Sequence, residues 1–449
     1  MSTKHYDVIV IGSGAAGGRI ASRCHKAGRT VALIEHDGFG GTCPLRGCEP
    51  KKMMVDVIQT AERLHNSAGL GVVGQAHIDW QELMAFKRSF TDTISDKIEA
   101  VHAKNGVDIH KGRARFTGPN TVDTGSAILE GERICIATGA VPRMLDIPGG
   151  EHAVTSDDFL ELAALPERIV FIGGGFIAFE MAHIAAAAGA DVTIVHRSSR
   201  VLRPFDADLA QRLMDHMRSQ GVTILTDLPP HSITAEDDGF VLHAGPGGAE
   251  HFPADLIVQA AGRIPATADL NLQAANVATD KGAVTVDHTL RSTTNPAVYA
   301  AGDVIAGGMP LTPVAAKEAD TVIHNLLSNT PQAMEYGPIP YALFTYPPLA
   351  AVGLLEEQAA AQGRTVDIVT GNASGWSEYE RIGQKCAGFK LIIDADNRQL
   401  LGAHVLGDAA EEMVNLFALA MRTKVSIDDL RSMLWAYPSF GYAMKYMFR

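Results

Sequence analysis

Two cysteines separated by four residues are the side chains in this chain best suited to redox chemistry. Cys43 and Cys48 lie in the segment GGTCPLRGC at positions 40–48. Four intervening residues make about one helical turn, so the sulfurs can close a disulfide at a helix start, where amide groups favour a thiolate. The alternatives are half of a zinc site and a pair of buried thiols. The other cysteines are isolated and no histidine stands at zinc-finger spacing, so the pair indicates a two-electron store.

A glycine-rich turn upstream predicts a nucleotide beside this pair. Gly12, Gly14 and Gly17 stand between a predicted strand at 8–11 and a predicted helix, and Glu35 ends the next predicted strand. Glycines allow the tight turn, the approach of a pyrophosphate and close helix packing, while the strand-end acid accepts ribose hydroxyls. This spacing predicts a dinucleotide site. The alternative is an ordinary glycine-rich turn.

A second copy of the same design follows in the middle of the chain. It contains Gly173 and Gly175 after a predicted strand at 169–172, then an alanine-rich helix and a predicted strand at 191–195. His196 and Arg197 replace the strand-end acid, and Arg200 and Arg203 follow, so a 2′-phosphate would meet cations. This favours NADPH over NADH. The alternative, a solvated arginine loop, stays open for Arg200.

Further motifs extend the pattern over the whole chain: IATGA at 136–140, AAGRIP at 260–265, YAAGD at 299–303 and LTPV at 311–314. In this order, with the redox pair and both fingerprints, they resemble the class I flavoprotein pyridine nucleotide-disulfide oxidoreductases, the glutathione reductase and dihydrolipoamide dehydrogenase type. The resemblance implies an α/β fold with two Rossmann-like domains, for FAD and NADPH, and a C-terminal α+β dimerisation domain. It also implies an NADPH-dependent disulfide reductase whose homodimer shares its active site between subunits.

The resemblance assigns roles residue by residue. FAD would contact Gly12, Ser13, Gly14, Ala16, Gly17, Glu35, Gly41, Thr42, Ala114, Thr138, Gly139, Gly302, Asp303, Leu311 and Thr312. NADPH would contact Gly173, Gly175, Phe176, Ile177, Ala178, Arg197, Arg203 and Gly262. Cys43 would attack the substrate and Cys48 would lie nearest the flavin. Lys51 or Lys52, paired with Glu180, would lie by the flavin N5, and Phe176 would cover the flavin until nicotinamide displaces it.

The same motifs set the expected domain limits. Residues 1–147 and 266–334 would form the FAD-binding domain, 148–265 the NAD(P)H-binding domain and 335–449 the dimerisation domain. A proline- and glycine-rich stretch at 336–340 marks the last boundary. A helix starting near Thr312 and Pro313 would direct its positive end at the negative edge of a reduced flavin.

The C-terminal segment departs from the family. Glutathione and lipoamide reductases carry a His-Glu dyad that protonates the leaving thiolate, whereas this chain has Tyr437 and Tyr442 at those places. A phenol is a poorer proton shuttle at neutral pH than an imidazole. Three interpretations stay open: Tyr437 donates a hydrogen bond, the leaving group departs unprotonated, or both tyrosines only pack a dimer interface.

The substrate therefore stays open. Glutathione disulfide is the default by resemblance, and a small disulfide with a stabilised thiolate is the other candidate. The alternatives are a reductase of a metal ion or quinone, resembling mercuric reductase but without its C-terminal cysteine pair, and a flavin-bound redox sensor with little turnover. Arg46, within the redox loop, could lower a thiolate pKa, hold a substrate carboxylate or simply lie on the surface.

Composition narrows the class of protein. The 449 residues carry a formal charge of −13 with no basic run, which argues against partners such as nucleic acid or an anionic membrane. No apolar run is long enough to span a bilayer and the N-terminus lacks a signal pattern, so a cytoplasmic location is expected. No resident metal site is expected.

Overall fold

Strands and helices alternate through most of the chain and give way to an antiparallel sheet towards the C-terminus. The computed structural model describes residues 3–448. The strands there are β1 (Thr3–Ile11), β2 (Val31–Glu35), β3 (Asp108–Lys111), β4 (Arg115–Phe116), β5 (Thr121–Asp123), β6 (Ile128–Ile136), β7 (Ala140–Pro142), β8 (Arg168–Ile172), β9 (Asp191–Val195), β10 (Thr223–Leu225), β11 (Pro230–Glu236), β12 (Gly239–Ala244), β13 (Glu250–Ala254), β14 (Leu256–Gln259), β15 (Arg263–Pro265), β16 (Thr279–Asp280), β17 (Ala283–Val284), β18 (Val298–Ala300), β19 (Pro340–Leu343), β20 (Leu349–Gly353), β21 (Val366–Asn372), β22 (Gly388–Asp394) and β23 (Leu400–Leu406).

The α-helices of the same described part are α1 (Ala15–Lys26), α2 (Thr42–Arg46), α3 (Cys48–Asn66), α4 (Trp80–Lys104), α5 (Ser156–Phe159), α6 (Phe176–Ala187), α7 (Ala207–Ser219), α8 (Thr312–Leu327), α9 (Glu356–Ala361), α10 (Ser377–Glu380), α11 (Ala410–Thr423), α12 (Ile427–Ser432) and α13 (Phe440–Ala443). None of them is both long enough and apolar enough to cross a membrane.

The first of two compact units comprises the residues up to Lys51, Ala85–Arg143 and Arg263–Tyr336. Its sheet has the strand order β3-β2-β1-β6-β5-β4, with β18 also against β6. Strands β1, β2, β3, β6 and β18 run parallel, and Ile11 pairs with both Ile34 and Ile136. Strand β2 is buried along its whole length, as strands covered on both faces are. The carboxyl ends of β1, β2, β6 and β18 therefore share one edge.

The second unit comprises Lys52–Met84, Met144–Gly262 and Gly337–Arg449. It contains a parallel sheet of order β10-β9-β8-β14, a three-stranded antiparallel sheet β11-β12-β13, and a five-stranded antiparallel sheet of order β19-β20-β23-β22-β21. Helix α11 packs on that last sheet through Met413, Val414, Phe417 and Ala420, whose helical spacing makes one apolar face. The predicted α/β class, with two Rossmann-like sheets and a C-terminal α+β part, is confirmed. The predicted limits of the three domains stay predictions.

Two glycines make the first nucleotide turn possible. Gly12 has φ +97, and a Cβ there would lie 2.4 Å from the Ala137 carbonyl oxygen. A Cβ on Gly17, in the first turn of α1, would lie 1.9 Å from the Gly12 carbonyl oxygen. Gly14 differs, because its nearest neighbour, the Gly41 Cα, lies 3.8 Å from the position of its Cβ. Close packing of α1 on β1 thus requires glycine at 12 and 17.

We expect Gly17→Ala to lower the thermal unfolding midpoint of the apoprotein by about 5 °C, because the added methyl group meets backbone that cannot turn aside. Gly14→Ala is the matched control on the same turn and should unfold within about 2 °C of the wild type. Circular dichroism on both variants without added nucleotide measures the difference. Equal midpoints for the two variants would contradict the packing role of Gly17.

Candidate active site

The two redox cysteines lie on separate helical pieces. Cys43 belongs to the short helix α2 and Cys48 begins α3. Gly47 separates them at φ −137° and ψ −112°, and a Cβ there would lie 2.8 Å from the Thr42 carbonyl oxygen. Cys43 is half-buried and Cys48 is exposed. The break at Gly47 brings together two thiols that one continuous helix would place at successive turns.

The electrostatic surroundings of the pair come from each other and from α8. A hydrogen bond with Cys48, followed by burial, raises the pKa of Cys43, while a hydrogen bond from Thr312 lowers it. The Thr312 hydroxyl oxygen also lies 3.8 Å from the Cys48 sulfur. Thr312 is the first residue of α8 and therefore serves both thiols from the positive end of a helix.

Arg46 binds the neighbouring loop. Its guanidinium donates to the carboxylate of Asp37 and, at 2.7 Å, to the carbonyl oxygen of Asp37. These contacts hold the redox loop to the segment just after β2, a structural role that the sequence interpretations of Arg46 did not include.

Ser13 and Glu35 join the nucleotide turn to the redox loop. The backbone N–H and the hydroxyl of Ser13 donate to Glu35 Oε2 at 2.9 and 2.8 Å, and the N–H groups of His36 and Asp37 donate to Oε1 at 2.7 and 2.9 Å. A carboxylate offers about four acceptor positions, so a ribose hydroxyl would replace one of these donors. The Ser13 hydroxyl also accepts from the Gly40 N–H at 3.0 Å.

Several groups in the first unit fit the polar atoms of FAD. The Thr138 hydroxyl is buried and, among the described residues, has no hydrogen-bond partner. Gly139 beside it has φ +68 and open space where a Cβ would stand. Burial raises the pKa of Asp303, and the charge of Arg263 opposes this rise. An unsatisfied hydroxyl and a half-buried acid at the carboxyl edge of a parallel sheet suit a dinucleotide.

The other predicted FAD residues lie around the same sheet edge. Ala16 and Gly17 are in the first turn of α1, Gly41 and Leu311 cap α2 and α8, and Gly302 follows β18 with φ +84. Ala114 is buried in the core just before β4. In the described part of the chain, no group of three or more His, Cys, Asp or Glu side chains could hold a metal ion.

Motif order missed two residues of this region. Glu318 on α8 is buried and accepts from the Gly302 N–H at 2.7 Å and the Tyr336 hydroxyl at 2.8 Å, and burial raises its pKa. Arg263 donates to the Ala140 carbonyl oxygen and lies 3.4 Å from the Thr42 hydroxyl. The sequence signal that could have indicated Glu318 is an acidic residue within the apolar face of α8. Arg263 entered the sequence analysis only as part of the motif at 260–265.

The second nucleotide turn lies in the second unit. A Cβ on Gly173, at φ +145, would lie 2.2 Å from the Ala260 carbonyl oxygen, and Gly175 caps α6 with open space in front of it. Phe176, the first residue of α6, is 45% exposed, which leaves its ring accessible to a ligand. Next along α6, Ile177 is half-buried and Ala178 is buried, while Gly262 is exposed at φ +107.

The arginines after β9 divide into two kinds. Arg197 and Arg203 are exposed, and Arg203 lies 3.5 Å from the Ser198 hydroxyl. Arg200 forms an ion pair with Glu357 and donates to the Phe205 carbonyl oxygen at 3.2 Å. Arg200 is therefore held by contacts within the protein and does not lie in the solvated loop that was its alternative, whereas the first two remain accessible to a phosphate.

Lys52 is the lysine that the structure pairs with Glu180. Its ammonium lies 3.7 Å from Glu180 Oε1 and 2.8 Å from the centre of the Phe344 ring. Glu180 is 1% exposed, and the same oxygen accepts from the Phe344 N–H at 2.7 Å. Lys51 is buried on the same helix, so both lysines stay candidates for the flavin side.

Tyr437 and Tyr442 are brought together as expected of residues that share a role. Their rings meet edge to face with centroids 4.8 Å apart. The Tyr442 N–H donates to the Ser439 hydroxyl at 3.0 Å, which fixes the start of α13. Tyr437 is 70% exposed in the protomer. The C-terminal segment therefore presents a phenol pair at its surface.

Comparisons with known proteins match two segments of this chain. Residues 6–319 match the family described as pyridine nucleotide-disulphide oxidoreductase, and residues 339–448 match the dimerisation domain of that description. Glutathione reductase of Burkholderia cepacia is 33% identical and covers 98% of both chains. Trypanothione reductase of Trypanosoma congolense is 32% identical over 97% of this chain and 94% of its own length. A Cu(II) complex of the HOCl-induced flavoprotein disulfide reductase RclA from Escherichia coli has a TM-score of 0.89 at 28% identity, covering 100% and 99% of the two chains.

We expect Thr312→Val to slow alkylation of reduced Cys43 at neutral pH about threefold. Losing the hydroxyl that stabilises the thiolate raises the pKa of Cys43 further, so less thiolate is present at each pH and the rate profile moves to higher pH. Iodoacetamide labelling against pH, followed by peptide mass spectrometry, measures this. Thr60→Val, the same change at an exposed position of α3, should keep the wild-type profile. Superimposable profiles for all three proteins would refute the role of Thr312.

Proposed function

The chain belongs to the pyridine nucleotide-disulphide oxidoreductase family, and on this basis we propose that it passes electrons from NADPH through FAD and the Cys43–Cys48 pair to a low-molecular-weight disulfide. NAD(P)H-dependent reduction of a disulfide is the activity that its relatives share. The single observation that carries the proposal is the contact of the two thiols beside the N-terminus of α8.

The first unit supplies the groups that would hold the flavin. Glu35 ends one parallel strand and Asp303 follows another, and the Thr138 hydroxyl offers a buried hydrogen bond that no described residue satisfies. FAD, when bound, would supply the two-electron carrier between the nicotinamide and the cysteines. The backbone N–H groups at the start of α8, which begins at Thr312, would favour negative charge on a flavin bound beside them.

The cysteines then carry out thiol–disulfide exchange. The Cys43 thiolate attacks one sulfur of the substrate, forming a mixed disulfide and releasing the first thiolate. Cys48 attacks the Cys43 sulfur, so the mixed disulfide breaks, the Cys43–Cys48 disulfide forms and the second thiolate leaves. Two protons taken up by the leaving groups complete two substrate thiols. Cys43 as the attacking residue follows the resemblance to the family.

NADPH rather than NADH is supported by the end of β9. His196 packs under Gly174, with its ring 2.6 Å from where a Cβ would stand, and lies 2.8 Å from the Ser198 hydroxyl. No carboxylate occupies the strand end to hydrogen-bond a free 2′-hydroxyl, and the exposed Arg197 and Arg203 suit a 2′-phosphate.

A homodimer would complete the site. The match to a dimerisation domain over 339–448 supports pairing of two chains. Tyr437, 70% exposed in one protomer, would then face the cysteines of the partner and act on the leaving thiolate. The proposed substrate is a small disulfide, glutathione disulfide or one whose thiolate is more stable.

We expect Arg197→Ala combined with Arg203→Ala to raise KM for NADPH about tenfold or more, with KM for NADH within twofold, because only NADPH loses a charge-assisted contact. Arg200→Ala, whose guanidinium already binds Glu357, is the matched control and should change neither value. Steady-state reduction of an artificial acceptor with each nucleotide measures this. Equal losses with both nucleotides would contradict recognition of the 2′-phosphate.

We expect Cys43→Ser to abolish NADPH-dependent turnover of every disulfide in a panel while bound FAD is still reduced by NADPH, because the attacking sulfur is gone but the earlier electron transfer is not. Anaerobic absorbance titration and steady-state assays measure the two steps. Cys386→Ser, which changes a buried cysteine of the second unit, should behave as wild type. Full disulfide turnover by Cys43→Ser would contradict the proposal.

A second candidate function is the reduction of Cu(II). It is favoured by the similarity to a disulfide reductase solved as a Cu(II) complex and by the exposed Cys48. One dithiol would reduce two Cu(II) ions to Cu(I), giving the disulfide and two protons. Mixing the two-electron-reduced enzyme with Cu(II) and a Cu(I)-specific chelator tests this against the disulfide panel. Stoichiometric Cu(I) that requires both cysteines, with no turnover of any disulfide, would favour the metal.

A further inference from the structure

A third phenol, that of the 42% exposed Tyr446, extends the Tyr437–Tyr442 pair. The rings of Tyr442 and Tyr446 meet edge to face with centroids 5.7 Å apart, after the 4.8 Å contact of Tyr437 with Tyr442. Tyr446 in turn packs against Trp376 at 5.4 Å. The three tyrosines therefore form one continuous row from the exposed end of the segment to the C-terminal sheet.

The Tyr446 end of the row lies within electrostatic reach of a buried carboxyl group. Partial desolvation, the negative charge and hydrogen bonding of Tyr442, and then the charges of Glu378 and Tyr437, raise the pKa of Tyr446. Glu378 is 1% exposed, and its Oε2 accepts from the Ser377 hydroxyl at 3.2 Å. These surroundings keep Tyr446 protonated before the reaction begins.

The middle of the row lies near a cation. The Lys445 ammonium lies 5.8 Å from the centre of the Tyr442 ring. A positive charge at this distance favours an electron-rich ring and, more strongly, a phenolate. Tyr442 is thus placed between two phenols and one ammonium group, which is where a row of phenols would best hold a transient negative charge.

We propose that Tyr442 and Tyr446 form a proton relay behind Tyr437 that replaces the missing imidazole acid of the disulfide reductases. This inference rests on the proposed function, since it assigns further residues to the same reaction. Tyr437 is the group that meets the substrate. Tyr442 and Tyr446 are positioning residues that determine where the proton and the negative charge go.

The proton balance is as follows. When Cys43 bonds to one substrate sulfur, the other sulfur leaves as a thiolate and takes the Tyr437 hydroxyl proton. Tyr442 then donates its proton to the Tyr437 phenolate and Tyr446 donates to Tyr442. Water at the side chain of Tyr446, which is 42% exposed, returns a proton to Tyr446. No electron moves in these steps, and the net change is one proton delivered to one leaving thiolate.

A row is needed because one phenol is a weak donor to a thiolate. An ordinary phenol is less acidic than an ordinary thiol, so a lone Tyr437 would lose its proton unfavourably. A hydrogen bond from the next phenol and a nearby ammonium group both stabilise the phenolate that forms. A packing role alone would use the three rings but would not require their hydroxyl groups.

Leaving-group acidity tests the relay. The holoenzyme is reduced anaerobically by two electrons and mixed with hydroxyethyl disulfide, which releases a basic aliphatic thiolate, or with 5,5′-dithiobis(2-nitrobenzoate), which releases an acidic aromatic thiolate. We expect Tyr446→Phe and Tyr442→Phe each to slow reoxidation by the aliphatic disulfide about tenfold or more. Reoxidation by the aromatic disulfide should stay within twofold, because its thiolate leaves unprotonated.

Controls separate the relay from packing and from the proposed function. Tyr6→Phe removes a hydroxyl on β1 that donates to the Asp108 carboxylate. This variant should match wild type with both disulfides. Equal slowing of both probes by Tyr446→Phe, or no slowing of either, overturns the relay while leaving disulfide reduction intact. Reduction of the aromatic probe alone by wild type also overturns it. If wild type reduces neither probe, the proposed function fails and the relay fails with it.

Discussion

The redox loop can reach the nucleotide turn because neither chain segment has a side chain where they touch. A Cβ on Gly41 would lie 2.7 Å from the Gly14 Cα, and Gly41 has φ +70. The Ser13 hydroxyl, which accepts from Gly40 and donates to Glu35, then fixes this approach with hydrogen bonds. Helix α2 starts directly after the contact, so the position of Cys43 depends on the absence of a side chain at Gly41.

Burial of acids without a full complement of cations shapes the electrostatics of both units. Glu318 relies on a backbone N–H and a tyrosine hydroxyl, and Asp303 has Arg263 nearby but is still shifted by burial. In the second unit, Glu180 has an ammonium group and an N–H donor. Glu318 and Asp303, whose pKa values are raised by burial, suit a protein that handles electron pairs and protons together.

Local sequence patterns predicted the elements well because local geometry encodes them. Strand β9 was predicted at 191–195 and lies at Asp191–Val195, and α8 begins at the expected Thr312. Helix α11 begins at Ala410, since Ala409 before it has a left-handed conformation with φ 62. Glycine turns and helix starts depend on neighbours in the chain, which the sequence displays directly.

Long-range partners could not be predicted in the same way. Lys51 and Lys52 are identical neighbours, and only the arrival of Phe344 from a distant strand end distinguishes Lys52. The partners of Arg46 and Arg200, Asp37 and Glu357, are likewise set by packing. Tyr446 lies four residues after Tyr442, a spacing that makes two side chains neighbours only in a helical segment, and no helix was predicted there.

The four donors around Glu35 give the protein a property beyond recognition. They hold the carboxylate, the strand end and the redox loop in place with protein groups alone. A nucleotide that bound here would exchange one hydrogen bond and would not have to order a loose loop. A site held in this way would also accept chemically modified flavins, whose altered potentials would report on the cysteines without a change to the chain.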